Sequence, residues 1–92
     1  MNQQSAPVTV YGAEWCHVTR STRQQLDDMG VRYAYIDTDH DPAASQWVKD
    51  QNQGLEIKPT LNVSGRILTA PDPEELEAAL RQAGVQHTAR PD

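Results

Sequence analysis

The chain has 92 residues, 37% of them hydrophobic, and 8 Lys+Arg against 13 Asp+Glu give a formal charge of -5. At this length folding buries roughly 60 to 65% of the unfolded surface, enough for one modest core, so a single domain over 7–84 is expected, with 1–6 and 85–92 as flexible termini. The acidic balance argues against binding to nucleic acid or to an anionic membrane, both of which need clustered positive charge.

After a polar start, 7–11 (PVTVY) is a β-branched and aromatic run closed by Gly12, which predicts a buried first strand. Over 17–29, Val18, Thr22, Leu26 and Met29 recur at spacings of four and three, and Gly30 follows where a left-handed cap ends a helix. Residues 31–37 (VRYAYID) predict a second strand after a tight turn. Asp41 then offers an N-cap and Pro42 a first helical position, with Ala44, Trp47 and Val48 as the apolar face before Gly54. Short runs over 60–63 and 66–69, joined through Ser64 and Gly65, predict an antiparallel hairpin. Asp72 caps a last helix opening at Pro73, with Glu75 three residues after the cap, Leu76, Ala79, Leu80 and Ala83 on one face, and Gly84 at its end.

The predicted order β-α-β-α-β-β-α is an α/β arrangement: a β-α-β unit with a right-handed crossover, and a hairpin added to the same sheet. A four-stranded mixed sheet with helices on both faces is expected, and this order is similar to the thioredoxin fold in its smallest form. The start (MNQQSAPVTV) lacks a positive region followed by an apolar stretch, and no run approaches the ~18 apolar residues of a membrane span. Cys16 is the one cysteine, so no intramolecular disulfide can form. A soluble, unexported protein of a reducing cytoplasm is therefore expected.

Cys16 lies in EWCHVTR, at the predicted start of the first helix. Unpaired backbone amides and the positive end of the helix dipole favour a thiolate there, holding the pKa below the ordinary ~8.5. That makes Cys16 a candidate nucleophile; free cysteine is also among the most buried residue types, and position alone leaves both readings open. Thr19, three residues on and on the same helical face, can donate a hydrogen bond to the sulfur or serve as an ordinary first-turn polar residue. Arg20 and Arg23 in the next turns can act on a thiolate at longer range or be simply solvated. His17 adjoins Cys16 in sequence but points elsewhere on a helix, and neither His40 nor His87 has metal-ligand spacing to the sulfur, so no metal site is expected.

WCHVTR, then Leu26 and Gly30, the DTDHDP stretch, Lys58-Pro59-Thr60 and finally GRILTAPDPEELEAAL together resemble the glutaredoxin family, especially its mycoredoxin-like bacterial branch, over nearly the whole chain. The family reads W-C-x-x-C, D-x-D-x-D-P, V-P-T and G-x-x-L-x-x-P in this order. The resemblance implies a thioredoxin fold and makes Cys16 the counterpart of the nucleophile that attacks a mixed disulfide between a protein and a small thiol. Thr19 stands where the family has its resolving cysteine, which leaves a monothiol cycle with Cys16 and Thr19 as catalytic residues. Pro59 matches a proline that is cis in the family and faces the nucleophile; from sequence physics it is a proline at the first position of a strand. Lys58 replaces the usual Val, its ammonium either meeting a substrate carboxylate or pointing to solvent. Trp15 and His17 flank the sulfur as part of the small-thiol site, with Trp15 on its hydrophobic rim, and Asp72 falls beside that site although it is better read as a helix cap.

The resemblance further implies S-thiolated proteins and a small thiol as partners, a monomer whose lone Cys16 leaves a disulfide between two chains open, and no tightly bound cofactor. Glutathione, mycothiol and bacillithiol remain open as the co-substrate, because Ala13 stands where a glutathione-binding member carries Lys and Thr69-Ala70-Pro71-Asp72 replaces a Gly-Gly pair. Two other readings are kept: a redox-inactive module that binds a thiol or extended peptide, and an iron-sulfur carrier, for which the C-G-F-S motif is absent.

Overall fold

The computed structural model describes residues 6–85; His87 and nearly all of the two termini expected to be flexible lie outside them. Alternation builds the first strand: in β1 (Val8–Gly12) Val8, Val10 and Gly12 are buried while Thr9 and Tyr11 face the opposite side. Helix α1 (His17–Met29) ends at Gly30, whose φ of 73° supplies the left-handed cap. The amide of Val31 donates to the carbonyl of Leu26 and turns the chain into β2 (Tyr33–Asp37). Helix α2 (Pro42–Gln51) is followed by the hairpin β3 (Thr60–Val63) and β4 (Arg66–Thr69), and α3 (Pro73–Ala83) ends at Gly84.

The four strands form one mixed sheet in the order β2-β1-β3-β4, with β1 parallel to β2 and antiparallel to β3. Ser64 and Gly65 both take positive φ, 52° and 99°, as a two-residue hairpin turn requires. On one face Leu26 of α1 and Leu76, Ala79 and Leu80 of α3 close over Val8, Val10, Leu61, Val63 and Leu68. On the other, α2 buries Ala44 and Val48, and Trp47 stacks on Tyr11 with ring centroids 4.5 Å apart. Asn52, just after α2, ties that helix to the hairpin: its amide donates to Thr60 Oγ1 at 3.2 Å and its carbonyl accepts from Thr69 Oγ1 at 2.9 Å. No helix of the described residues is long and apolar enough to cross a membrane.

The buried face of α1 differs from the expected one in its first turn. Thr19, Thr22 and Leu26 are buried, whereas Val18 is 44% exposed. Thr19 lies seven positions before Leu26, close to two full turns, and so shares its line; Val18 is a further ~100° round the helix. This places the Thr19 side chain against the end of β1, where only a glycine leaves room. A Cβ on Gly12 would stand 2.5 Å from Thr19 Oγ1 and 2.6 Å from Thr19 Cγ2. Gly12→Ala must therefore push α1 off the sheet, and we expect it to lower unfolding stability by about 1 to 3 kcal/mol in urea titrations. An unchanged midpoint would mean that α1 is free to shift at this contact.

Candidate functional site

The carboxyl end of β1 leads directly into the site. The amide of Cys16 donates to the carbonyl of Ala13 at 3.1 Å, turning the chain so that Cys16 itself becomes the N-cap of α1, with extended φ and ψ of -83° and 118°. No side chain caps this helix, and its first turn holds no acidic residue. Its positive end is thus left to the sulfur. Burial pushes the Cys16 thiol up, but the Thr19 hydroxyl, the backbone amides of Thr19 and Val18, and the Lys58 ammonium outweigh it and hold the thiol below its ordinary value. Thr19 is fully buried, and its Oγ1 has no hydrogen-bond partner among the described residues. The ionised sulfur is the acceptor this hydroxyl lacks.

The peptide bond between Lys58 and Pro59 is cis, and the Lys58 carbonyl oxygen lies 4.0 Å from Cys16 Sγ. Pro59 is buried, and its carbonyl accepts from the amide of Ala70 at 2.8 Å, so the turn before α3 braces the segment that faces the sulfur. The Lys58 side chain neither points to solvent nor waits unpaired. Its Nζ lies 2.8 Å from Glu56 Oε2 and 5.5 Å from the centre of the Trp15 ring. Glu56 in turn accepts from Ser45 Oγ at 2.7 Å. Lys58, Ser45 and the Thr38 hydroxyl together bring the Glu56 carboxyl down to about 2.

Trp15 is 67% exposed beside the sulfur, with its indole Nε1 donating to Asp39 Oδ2 at 2.6 Å. Asp37 accepts from the Asp39 amide at 2.9 Å and pairs with His40 at the same distance, which lowers the Asp37 carboxyl and raises the His40 imidazole. The DTDHDP stretch therefore builds the loop that holds Trp15. His17 opens α1 and is exposed. Asp72 accepts from the Glu75 amide at 2.8 Å and caps α3. Arg20 and Arg23 both turn to Glu14, at 2.9 Å from its carbonyl and 3.3 Å from its carboxylate, and Arg23 also lies 3.8 Å over the Tyr35 ring. The thiol is thus tuned by Thr19 and Lys58, not by these arginines. A cleft of about 570 Å³ between β2 and α1, lined by Arg23, Tyr33 and Tyr35, does not include Cys16.

Cys16, Thr19, Trp15, Lys58 and Pro59 are brought together, while His17 and Asp72 sit at helix starts. Glu56 and Asp39 escaped sequence reading. The only signal for Glu56 was a carboxylate two residues before a lysine, which aligns two side chains in extended chain but says nothing where the strand has yet to be placed. Among the described residues no group of three or more His, Cys, Asp and Glu can hold a metal ion.

The glutaredoxin family model matches residues 8–68. Mycoredoxin 1 of Corynebacterium glutamicum is 44% identical over 57 residues, which span 62% of this chain and 70% of the relative. A Mycobacterium tuberculosis protein assigned as a glutaredoxin is 30% identical over 77 residues, 83% of this chain and 92% of that protein. In three dimensions the glutaredoxin of Archaeoglobus fulgidus matches with a TM-score of 0.70 at 19% identity, covering 88% of this chain and 96% of its own. A wheat glutaredoxin matches with 0.69 at 20%, covering 89% and 86%. At such identities the two structures speak to the thioredoxin-like fold alone.

The Glu56 carboxyl yields a pH dependence of known sign. Its folded value of about 2 lies below the ordinary 4.5, so ionised Glu56 stabilises the fold above pH 4.5 and that contribution is lost as pH falls toward 2. Allowing for solvent screening, Glu56→Gln is expected to be about 1 to 2 kcal/mol less stable than the parent at pH 7. The gap should close as urea titrations are repeated at pH values stepped down to 2; a constant gap would remove the ionised carboxylate as its source.

Proposed function

Since this chain belongs to the glutaredoxin family, we propose that it is a monothiol thiol-disulfide oxidoreductase in which Cys16 takes a small thiol from S-thiolated proteins. Glutaredoxins draw on a small thiol as co-substrate, and the steps here follow from one sulfur. The Cys16 thiolate attacks the small-thiol sulfur of a mixed disulfide; the S–S bond breaks and the protein thiolate leaves and takes up a proton. A second small-thiol anion then attacks the small-thiol sulfur now bonded to Cys16, releasing a small-molecule disulfide and restoring the Cys16 thiolate. Each turnover thus consumes one free small thiol, which leaves as a disulfide with the small thiol taken from the target, and no second protein thiol is needed.

The observation that carries this reading is the buried Thr19 hydroxyl left without a partner beside a sulfur that occupies a helix N-cap. Trp15, Lys58 and Pro59 form the walls against which the small thiol rests. The likeness to mycoredoxin 1, with Ala13 where a glutathione-binding member has Lys, favours mycothiol over glutathione. A reducing cytoplasm, a monomeric state and S-thiolated proteins as targets complete the proposal.

Two measurements test it. Cys16 loaded with mycothiol should be released by free mycothiol faster than a glutathione-loaded sample is released by glutathione; no release by either thiol would leave a binding module without turnover. Thr19→Val keeps the shape of the side chain and removes its hydroxyl. It should move the midpoint of the Cys16 alkylation profile about one unit or more to higher pH and cut the thiolate fraction at pH 7 by up to about tenfold per unit, the effect of one hydrogen bond to a charged group. An unmoved midpoint would exclude Thr19 from stabilising the thiolate.

A further inference from the structure

Lys58 is the cation whose charge acts on the Cys16 sulfur, and its backbone carbonyl lies 4.0 Å from Sγ; the position of its ammonium is not left to a flexible side chain. Four methylene groups normally let a lysine ammonium sample solvent. Here the side chain is only 15% exposed, its Nζ held 2.8 Å from a Glu56 carboxylate that is itself 21% exposed. Glu56 belongs to the segment that returns from α2 toward Pro59, and Ser45 Oγ in the first turn of α2 donates to its other oxygen at 2.7 Å. The carboxylate is therefore clamped from two sides, with one oxygen on the helix and one on the lysine. The ammonium it directs lies 5.5 Å over the exposed ring of Trp15, the residue that precedes Cys16.

We propose that Glu56 is a positioning residue, whose carboxylate anchored on Ser45 fixes the Lys58 ammonium at the mouth of the Cys16 groove as a standing positive charge facing the exchanging sulfur. This rests on the reading of Cys16 as the exchanging thiol. Other ionisable groups face the same region. Asp37 at the end of β2 also feels Lys58, and His40 pairs with Asp37. Asp39 is engaged by Trp15. If Glu56 releases the lysine, Asp37 and the solvent are its alternatives, and the charge leaves the sulfur.

The sign of one shift separates positioning from every simpler role. As a bare negative charge near the groove, Glu56 opposes the thiolate, and its neutralisation lowers the Cys16 pKa. As the residue that positions Lys58, it supports the thiolate, and its neutralisation raises the Cys16 pKa. The experiment is the pH profile of iodoacetamide alkylation at Cys16 for the parent, Glu56→Gln, Lys58→Met and the double variant, at low and at 1 M salt, with circular dichroism confirming the fold of each. At low salt we expect Glu56→Gln to move the midpoint to higher pH and reduce the thiolate fraction at pH 7 by about two- to fivefold, a screened interaction at the surface. Lys58→Met should do so at least as strongly, the double variant should match Lys58→Met, and 1 M salt should shrink the difference between parent and variants. A midpoint that falls or stays in place for Glu56→Gln, or a double variant shifted beyond Lys58→Met, overturns the proposal. Failure of the exchange reading itself is seen separately: it is the absolute midpoint of the parent at or above ~8.5, whereas positioning is read from differences between variants.

Discussion

Everything at this site depends on a helix that begins without a conventional cap. Helices α2 and α3 both open on an aspartate and a proline, with the Asp41 and Asp72 carboxylates accepting the amides of Ala44 and Glu75. Helix α1 opens on Cys16 and has no side-chain cap. At neutral pH an aspartate in that place would satisfy the helix and do nothing else. A thiol satisfies it fully only when ionised, so the stability of the helix start and the reactivity of the sulfur are coupled in one equilibrium.

The rest of the fold keeps that equilibrium from relaxing in other ways. Gly12 lets Thr19 lie against the end of β1, which places a hydroxyl under the sulfur where water does not reach. The Thr38 amide donates to the Gly12 carbonyl at 2.9 Å, so the ends of β1 and β2 are fixed at the same point. On the far side Asn52 and Ala70 join α2, β4 and the turn before α3 to the segment around Pro59. The groove thus has two walls set by different elements.

The elements that carry their own punctuation were legible in the sequence. Both Asp-Pro starts and the Gly30 and Gly84 stops fall where the caps and the apolar spacing put them, whereas α2 ends at Gln51 with Asn52 as its cap, short of Gly54, and the Ser64-Gly65 turn separates β3 from β4 as its two residues require. These signals are local, and the chemistry acts within a few residues. The second strand begins at Tyr33 rather than Val31, because Val31 is spent on closing the α1 cap. The misjudged first turn of α1 has a similar cause: Val18 is the more hydrophobic residue, but helical geometry aligns Thr19 with Leu26. What sequence could not give was pairing across the fold. Trp15 meets Asp39 across 24 positions and Ser45 meets Glu56 across 11. Neither contact is implied by propensity, and both are made only once α1, α2 and the loop after β2 converge at one end of the sheet.

Thr19 in place of a second thiol changes what the groove must do as well as what it can do. A hydroxyl donates a hydrogen bond readily but ionises far outside the physiological range, so on the proposed monothiol reading Thr19 holds the thiolate and cannot attack it once oxidised. On that reading regeneration comes from outside, and the attacking thiol needs a path to a sulfur already bonded to another molecule. An exposed Trp15, exposed Val18 and a lysine held to one side by its carboxylate leave such a path open. A dithiol site resolves its own intermediate from within the same helical turn and gains from closing over it; on the proposed monothiol reading a site built on Cys16 and Thr19 has to stay open, and the proposed placement of Lys58 by Glu56 provides charge at the sulfur without covering it.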